Sequence, residues 1–210
     1  MRHLSLSTAE RCALAVGALA LVLMMPGTAE LLEYRRALLA AEPWRLLTGH
    51  LVHLNWPHAL INVLALLIVA RLFASELEAR RQTAVLLTAA FAISAALAQL
   101  WPGIAWYRGL SGVVHALFFA GATMWLASTQ PRDTRGLWLP AALFFGGWIK
   151  VALEQPTGDV LPHAEWLGAA VVPQAHLIGA ACGTALGLAF ALADRRRNKE
   201  RAKQQQLQPR

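Results

Sequence analysis

The stretch from Tyr107 to Ala122 (YRGLSGVVHALFFAGA) places polar groups at the start of an apolar run. Ser111 lies between Gly109 and Gly112, and His115 follows one helical turn later. A histidine at membrane depth is costly, so its presence indicates a function. A serine hydroxyl becomes a useful nucleophile when a neighbouring base, usually histidine, accepts its proton. These residue types therefore predict nucleophilic attack on a carbonyl group.

Two further stretches carry side chains that such a reaction needs. His58 and Asn62 are four residues apart, so they share one face of a helix. They can donate hydrogen bonds to a developing oxyanion, as can the backbone amide of Ser111 at a helix start. His176 is a candidate base in addition to His115. Because no Asp or Glu is positioned as a third member, the sequence predicts a Ser–His dyad.

The composition indicates which elements must position these residues. Of the 210 residues, 57% are hydrophobic and 15% are charged, and the mean hydropathy is +0.44. Soluble domains carry about 25% charged residues, so this chain is better suited to a lipid environment. Because a helix satisfies its own backbone polar groups, the predicted fold is an all-α membrane protein.

Six apolar segments come close to the ~20 residues that a membrane span requires. They are Ala13–Met25, Pro57–Phe73, Thr83–Trp101, Ser111–Ser128, Leu137–Leu153 and Ala175–Ala193. Basic residues concentrate on one side, which the positive-inside rule assigns to the cytoplasm together with both termini. The prediction is a six-helix domain over residues 1–194 and a basic, disordered cytoplasmic tail over residues 195–210.

This orientation places the reactive residues at one depth. The second, fourth and sixth segments run inwards, so their N-terminal ends share the outer side. The residues at these ends are His53, His58, Asn62, Ser111, His115 and His176. Gly179 and Gly183 form a small-residue face that predicts close helix packing. Such packing would bring the sixth segment against the fourth, and His176 towards Ser111.

The outer connections carry separate expectations. Thr28 to Leu47 is partly amphipathic, which predicts an interfacial helix. The loop from Pro156 to Val172 is punctuated by proline and glycine, which is typical of a mobile segment. We expect this loop and the outer end of the fifth segment to gate access to the dyad.

The same residues support several other functions less well than they support nucleophilic catalysis. Zinc could bind a set of four histidines, but HExxH is absent and no cysteine or carboxylate joins them; the set is His53, His58, His115 and His176. The proposed chemistry needs no metal or other cofactor. The basic tail lacks the folded module that nucleic-acid binding requires. A histidine-lined transporter would be expected to show a carboxylate pair or an inverted repeat.

Three motifs, in order along the chain, resemble those of rhomboid intramembrane serine proteases. The GLSG stretch around Ser111 resembles their GxSG motif, and His58 to Asn62 (HALIN) resembles HxxxN. Ala175 to Gly183 (AHLIGAACG) resembles AHxxGxxxG on the sixth helix. Trp44-Arg45 also fits the family, and the similarity extends to about Ala193. The resemblance implies a six-transmembrane-helix bundle in a bacterial-type inner membrane.

The resemblance also implies roles for individual residues. Ser111 would be the nucleophile and His176 the general base. Asn62, His58 and the Ser111 amide would form the oxyanion environment. The substrates would be membrane-anchored proteins cleaved near the outer face of the membrane. A proteolytically silent rhomboid-like binder of membrane clients is the alternative, against which the intact Ser111 and His176 argue.

His115 departs from the bacterial family pattern, in which an aromatic residue is common at this position. The resulting SGxxH pattern resembles the rhombosortase branch. That resemblance implies substrates with GlyGly-CTERM tails, in which a Gly-rich motif precedes a transmembrane helix and a basic cluster. The acyl group would pass to water or to another amine. We expect His115 to orient His176 rather than to act as the base.

Overall fold

The computed structural model describes residues 6–129, 134–155 and 171–207. Its helices are α1 (Thr8–Val22), α2 (Thr28–Leu32), α3 (Arg45–Thr48), α4 (Trp56–Leu72), α5 (Ala79–Leu100), α6 (Ser111–Ser128), α7 (Thr134–Glu154) and α8 (Pro173–Leu207). A two-stranded antiparallel ladder pairs β1 (Tyr34–Arg35) with β2 (Trp106–Tyr107), and a 3-10 helix covers Arg36–Leu38. The described chain is therefore mostly helical, as predicted.

Four of the described helices are long and apolar enough to cross a membrane. They are Ala79–Leu100, Ser111–Ser128, Gly136–Glu154 and Pro173–Gln206. The other two predicted spans correspond to shorter helices, since α1 has 15 residues and α4 has 17. The membrane character of the fold is confirmed, and the count of six spans stays a prediction.

Helix α6 forms the centre of the bundle. Of its apolar span, 61% is buried inside the protein, compared with 11% for α7. It packs against α4, α5, α7 and α8. Its small residues, such as Ala116 and Ala120, are fully buried and allow these neighbours to approach closely. The helix that begins with Ser111 is therefore held on several sides.

Helix α8 lies closest to α6, through a line of glycines. A Cβ atom at Gly179 would overlap the carbonyl oxygen of Gly112, and one at Gly183 would overlap that of Ala116. Only glycine leaves room for such backbone contact. The contact fixes the register of α8 on α6, and it places the start of α8 beside Ser111.

The prediction of an interfacial helix between Thr28 and Leu47 is wrong. The segment instead forms α2, β1, the 3-10 helix and α3, and it folds around buried charged groups. The Arg45 guanidinium is buried and donates to the backbone carbonyl oxygens of Glu30 and Glu33. The Glu33 carboxylate is buried in turn and pairs with Arg108. Buried polar groups require such partners, and these partners override the amphipathic pattern.

The basic segment after residue 194 also differs from expectation. It was predicted to be disordered, but α8 continues through it to Leu207. Arg, Lys, Gln and Ala favour helix, and the apolar part of α8 supplies a nucleus from which the helix extends. Of the predicted gate loop, residues 156–170 lie outside the described residues.

Candidate active site

Ser111 and His176 meet at the outer ends of α6 and α8. The Ser111 Oγ atom lies 2.9 Å from the His176 Nε2 atom. His176 is only 6% exposed, so its ring is held in a protected environment. The distance is that of a hydrogen bond and falls within the range that nucleophile activation requires. The glycine contact between α6 and α8 produces this approach.

The turn before Ser111 is bent by Gly109. Its φ of +125° favours glycine, and a Cβ atom there would lie 3.0 Å from the His58 Nε2 atom. The Tyr107 hydroxyl donates to the Gly109 carbonyl oxygen at 2.7 Å, and the Gly109 amide donates to Gly49. Burial raises the pKa of Tyr107 to about 12, so its hydroxyl stays a donor. These contacts fix where Ser111 begins its helix.

Helix α4 brings His58 and Asn62 to the same turn. The Asn62 Nδ2 atom would lie 3.8 Å from a Cβ atom at Gly109. The Leu54 amide donates to His58 Nδ1 at 3.4 Å, which places the proton of the neutral His58 ring on Nε2 and makes that atom a donor. Asn62 Nδ2 is buried without a hydrogen-bond partner in the part of the chain that the structure describes. An unpaired buried donor is costly, and here it is available to a developing oxyanion.

His53 supports this turn, a contribution that its position before the second apolar segment did not reveal. The Leu110 amide donates to the His53 Nε2 atom at 3.4 Å. Burial lowers the pKa of His53 to about 3, so the neutral ring can accept this bond at physiological pH. Its ring also lies edge-on to that of His58, with centroids 5.0 Å apart. His53 therefore links the two segments that carry Ser111 and His58.

His115 forms a wall against the His176 ring. The two rings are stacked, with centroids 4.2 Å apart and an interplanar angle of 16°. The His115 Nδ1 atom lies 2.7 Å from the Ser111 carbonyl oxygen, and its Nε2 atom lies 2.7 Å from Lys150 Nζ. His115 therefore contacts the dyad without facing the serine hydroxyl.

The expectation that no carboxylate lies near the dyad is wrong. Glu154 Oε2 lies 3.0 Å from His176 Nδ1, and Glu154 Oε1 lies 2.8 Å from Lys150 Nζ. Glu154 is the last residue of α7, one position beyond the predicted fifth segment. Its spacing of four from Lys150 suggests an ordinary helix-surface ion pair. Only the packing of α7 against α8 turns it towards His176.

The four histidines considered as zinc ligands do not form one group among the described residues. The set that comes together is His115, Glu154 and His176, whose donor atoms lie within 4.8 Å of one another. A metal ion could in principle be held by such donors. The Lys150 ammonium already contacts two of the three residues and supplies a positive charge there.

A cleft of about 400 Å³ opens beside Ser111. It lies between the loop that carries β2, the start of α4 and the residues that lead into α8. Residues that line it include Leu54, His58, Ile104, Trp106, Ser111 and Val172. An extended peptide segment could therefore reach the serine hydroxyl from this side.

The fold and site define a multi-pass membrane protein with a serine and a histidine paired inside a helical bundle. A comparison with protein-family models matches the Rhomboid domain over residues 40–193. This match covers most of the chain, and the chain therefore belongs to the rhomboid family, whose members act on membrane proteins within the lipid bilayer. A comparison with curated proteins finds no match.

Proposed function

We propose that the protein is an intramembrane serine endopeptidase that cleaves membrane-anchored substrates near the outer face of the inner membrane. The observation that carries the proposal is the 2.9 Å contact between Ser111 Oγ and His176 Nε2. It occurs inside a rhomboid domain and beside an open cleft. A purely client-binding protein would have no need for this hydrogen bond.

In the proposed reaction, His176 Nε2 takes the proton of Ser111 while Oγ attacks the scissile carbonyl carbon. The oxyanion that forms receives hydrogen bonds from Asn62, His58 and the Ser111 amide. The C–N bond then breaks, and His176 gives its proton to the leaving amine. Water or another amine then attacks the acyl carbon while His176 takes its proton, the bond from that carbon to Ser111 Oγ breaks, and His176 returns the proton to Oγ.

For the substrate, we propose Gly-rich tails of the GlyGly-CTERM type. The SGxxH pattern around His115 supports the rhombosortase branch, and glycine leaves a helix readily to enter a narrow cleft. The basic side of the bundle supports cytoplasmic termini and a site that opens outwards. A reporter with such a tail, reconstituted with the protein, tests the proposal. Replacing the Gly-Gly pair by Val-Val should abolish its cleavage, and equal cleavage of both tails would contradict the proposed specificity.

Replacing Asn62 tests the oxyanion site. Asn62→Ala should lower kcat by roughly 10- to 1,000-fold with a smaller change in KM, since the donor acts on charge that develops in the transition state. Steady-state cleavage of the reporter measures both constants. If only KM changes, Asn62 binds the substrate and does not stabilise the oxyanion.

Replacing His115 tests whether this residue orients His176 by stacking on its ring. His115→Phe should retain measurable cleavage, because a neutral aromatic ring can still stack on His176. His176→Ala should show no measurable cleavage, because it removes the general base. The same reporter assay compares the two variants. If His115→Phe is inactive and His176→Ala still cleaves, His115 is the base.

A further inference from the structure

A closed ring of hydrogen bonds begins and ends at Ser111. Its hydroxyl contacts His176 Nε2 at 2.9 Å, and His176 Nδ1 contacts Glu154 Oε2 at 3.0 Å. Glu154 Oε1 contacts Lys150 Nζ at 2.8 Å, and Lys150 Nζ contacts His115 Nε2 at 2.7 Å. His115 Nδ1 closes the ring at 2.7 Å from the Ser111 carbonyl oxygen. Three helices, α6, α7 and α8, are joined by these five contacts.

These five hydrogen bonds determine which nitrogen of each histidine carries a proton. A carbonyl oxygen can only accept, so His115 carries its proton on Nδ1 and accepts at Nε2 from the Lys150 ammonium. The Glu154 carboxylate accepts at both oxygens, so His176 carries its proton on Nδ1. His176 Nε2 is then unprotonated and accepts from the Ser111 hydroxyl. This is the tautomer that a base for Ser111 needs.

We propose that Glu154, held in place by Lys150, is a positioning residue that completes the dyad as a third member. The inference rests on the proposed function. Glu154 is 8% exposed and His176 is 6% exposed, so water screens the electrostatic interaction between the carboxylate and the His176 imidazole only weakly. It stays ionised and stabilises the imidazolium that forms when His176 takes the serine proton. Lys150 balances its charge before the reaction.

A Glu154→Gln variant distinguishes this positioning role from a purely structural contact that holds α7 against α8. A glutamine has one accepting oxygen for two donors, Lys150 and His176 Nδ1–H. If its amide nitrogen faces His176, the ring proton must move to Nε2, where it blocks proton transfer from Ser111. We expect the maximal rate of labelling by a fluorophosphonate probe to fall about 100-fold, with probe affinity within about twofold of the original.

The double variant Glu154→Gln with Lys150→Met gives the sharper result. Without the ammonium, the amide oxygen of the glutamine is free to accept from His176, and the correct tautomer returns. The double variant should therefore be labelled about tenfold faster than Glu154→Gln alone. Lys150→Met alone should stay within about tenfold of the original rate. A mere structural tie would make the double variant slower than either single variant.

The experiment measures probe labelling of the full chain in detergent micelles over a range of probe concentrations. Glu10→Gln is the matched control, because Glu10 is similarly buried, at 7% exposed, and pairs with Arg71 at the far end of α4. It should be labelled at the original rate. The thermal unfolding midpoint of each variant, measured in the same detergent, shows whether slow labelling reflects a changed His176 tautomer or an unfolded protein.

Two results overturn the inference. One is Glu154→Gln labelled at the original rate, and the other is a double variant slower than both single variants. Failure of the proposed function has a different signature. In that case the unsubstituted protein would be labelled no faster than Ser111→Ala, whereas a fast unsubstituted protein with an equally fast Glu154→Gln would refute the role of Glu154 alone.

Discussion

Ser111→Ala should lose at least about 10⁴-fold in turnover of a membrane-anchored reporter, because no other hydroxyl replaces the nucleophile. His176→Ala should lose a comparable amount, since Ser111 and His176 act as one unit. The fold should survive the serine change, which removes a single hydrogen bond worth about 1 kcal/mol. Reporter turnover and the thermal unfolding midpoint, measured on the same preparation, check both parts of this expectation.

Ser128→Ala is the matched control for the serine change. Ser128 ends the same helix at its other end and, among the described residues, donates to the Trp125 carbonyl oxygen. It should keep full turnover. Cleavage that persists in Ser111→Ala would remove Ser111 from the role of nucleophile, whatever its distance from His176.

Gly179→Ala should destabilise the protein by about 3 kcal/mol or more, at the upper end of what overpacking costs. The added Cβ atom would meet the carbonyl oxygen of Gly112, a backbone atom that cannot move aside without shifting α6. Because α8 also carries His176, the shift should separate His176 from Ser111 and lower turnover. The unfolding midpoint and the reporter assay measure the two effects.

Gly146→Ala on α7 makes the same chemical change where no atom of the described residues lies within 4 Å of the new Cβ atom. It should be neutral or stabilise by up to about 1 kcal/mol, because alanine favours helix more than glycine does. If Gly179→Ala behaves like Gly146→Ala, α8 does not depend on this contact for its position.

The parts of the site that follow from local spacing were open to prediction. His58 and Asn62 share a helix face because they are four residues apart, and Ser111 opens α6 because the apolar run begins there. The spacing of Gly179 and Gly183 by itself predicts a close helix contact. Such patterns are read within one segment, so they do not depend on knowing how the segments pack.

The parts that depend on distant contacts were not predicted. Glu154 follows Lys150 by four residues, a spacing typical of a solvated ion pair, and only the register of α7 on α8 turns it towards His176. The pairing of Tyr34 with Tyr107 spans more than 70 residues, and it replaces the interfacial helix that the local pattern favoured. Both errors arose because tertiary partners outweighed local sequence preference.

The length of α4 has a consequence for the surrounding lipid. At 1.5 Å per residue, its 17 residues extend about 25 Å, and the 18 residues of α6 extend about 27 Å. A typical hydrocarbon layer is about 30 Å thick. The two helices that carry Asn62 and Ser111 are thus at the short end of what spans such a layer, and a membrane that both of them cross is expected to thin around them. Hydrophobic mismatch would draw headgroups and water down towards Ser111, and the acyl-chain length of the host membrane becomes one of the determinants of how wet the site is.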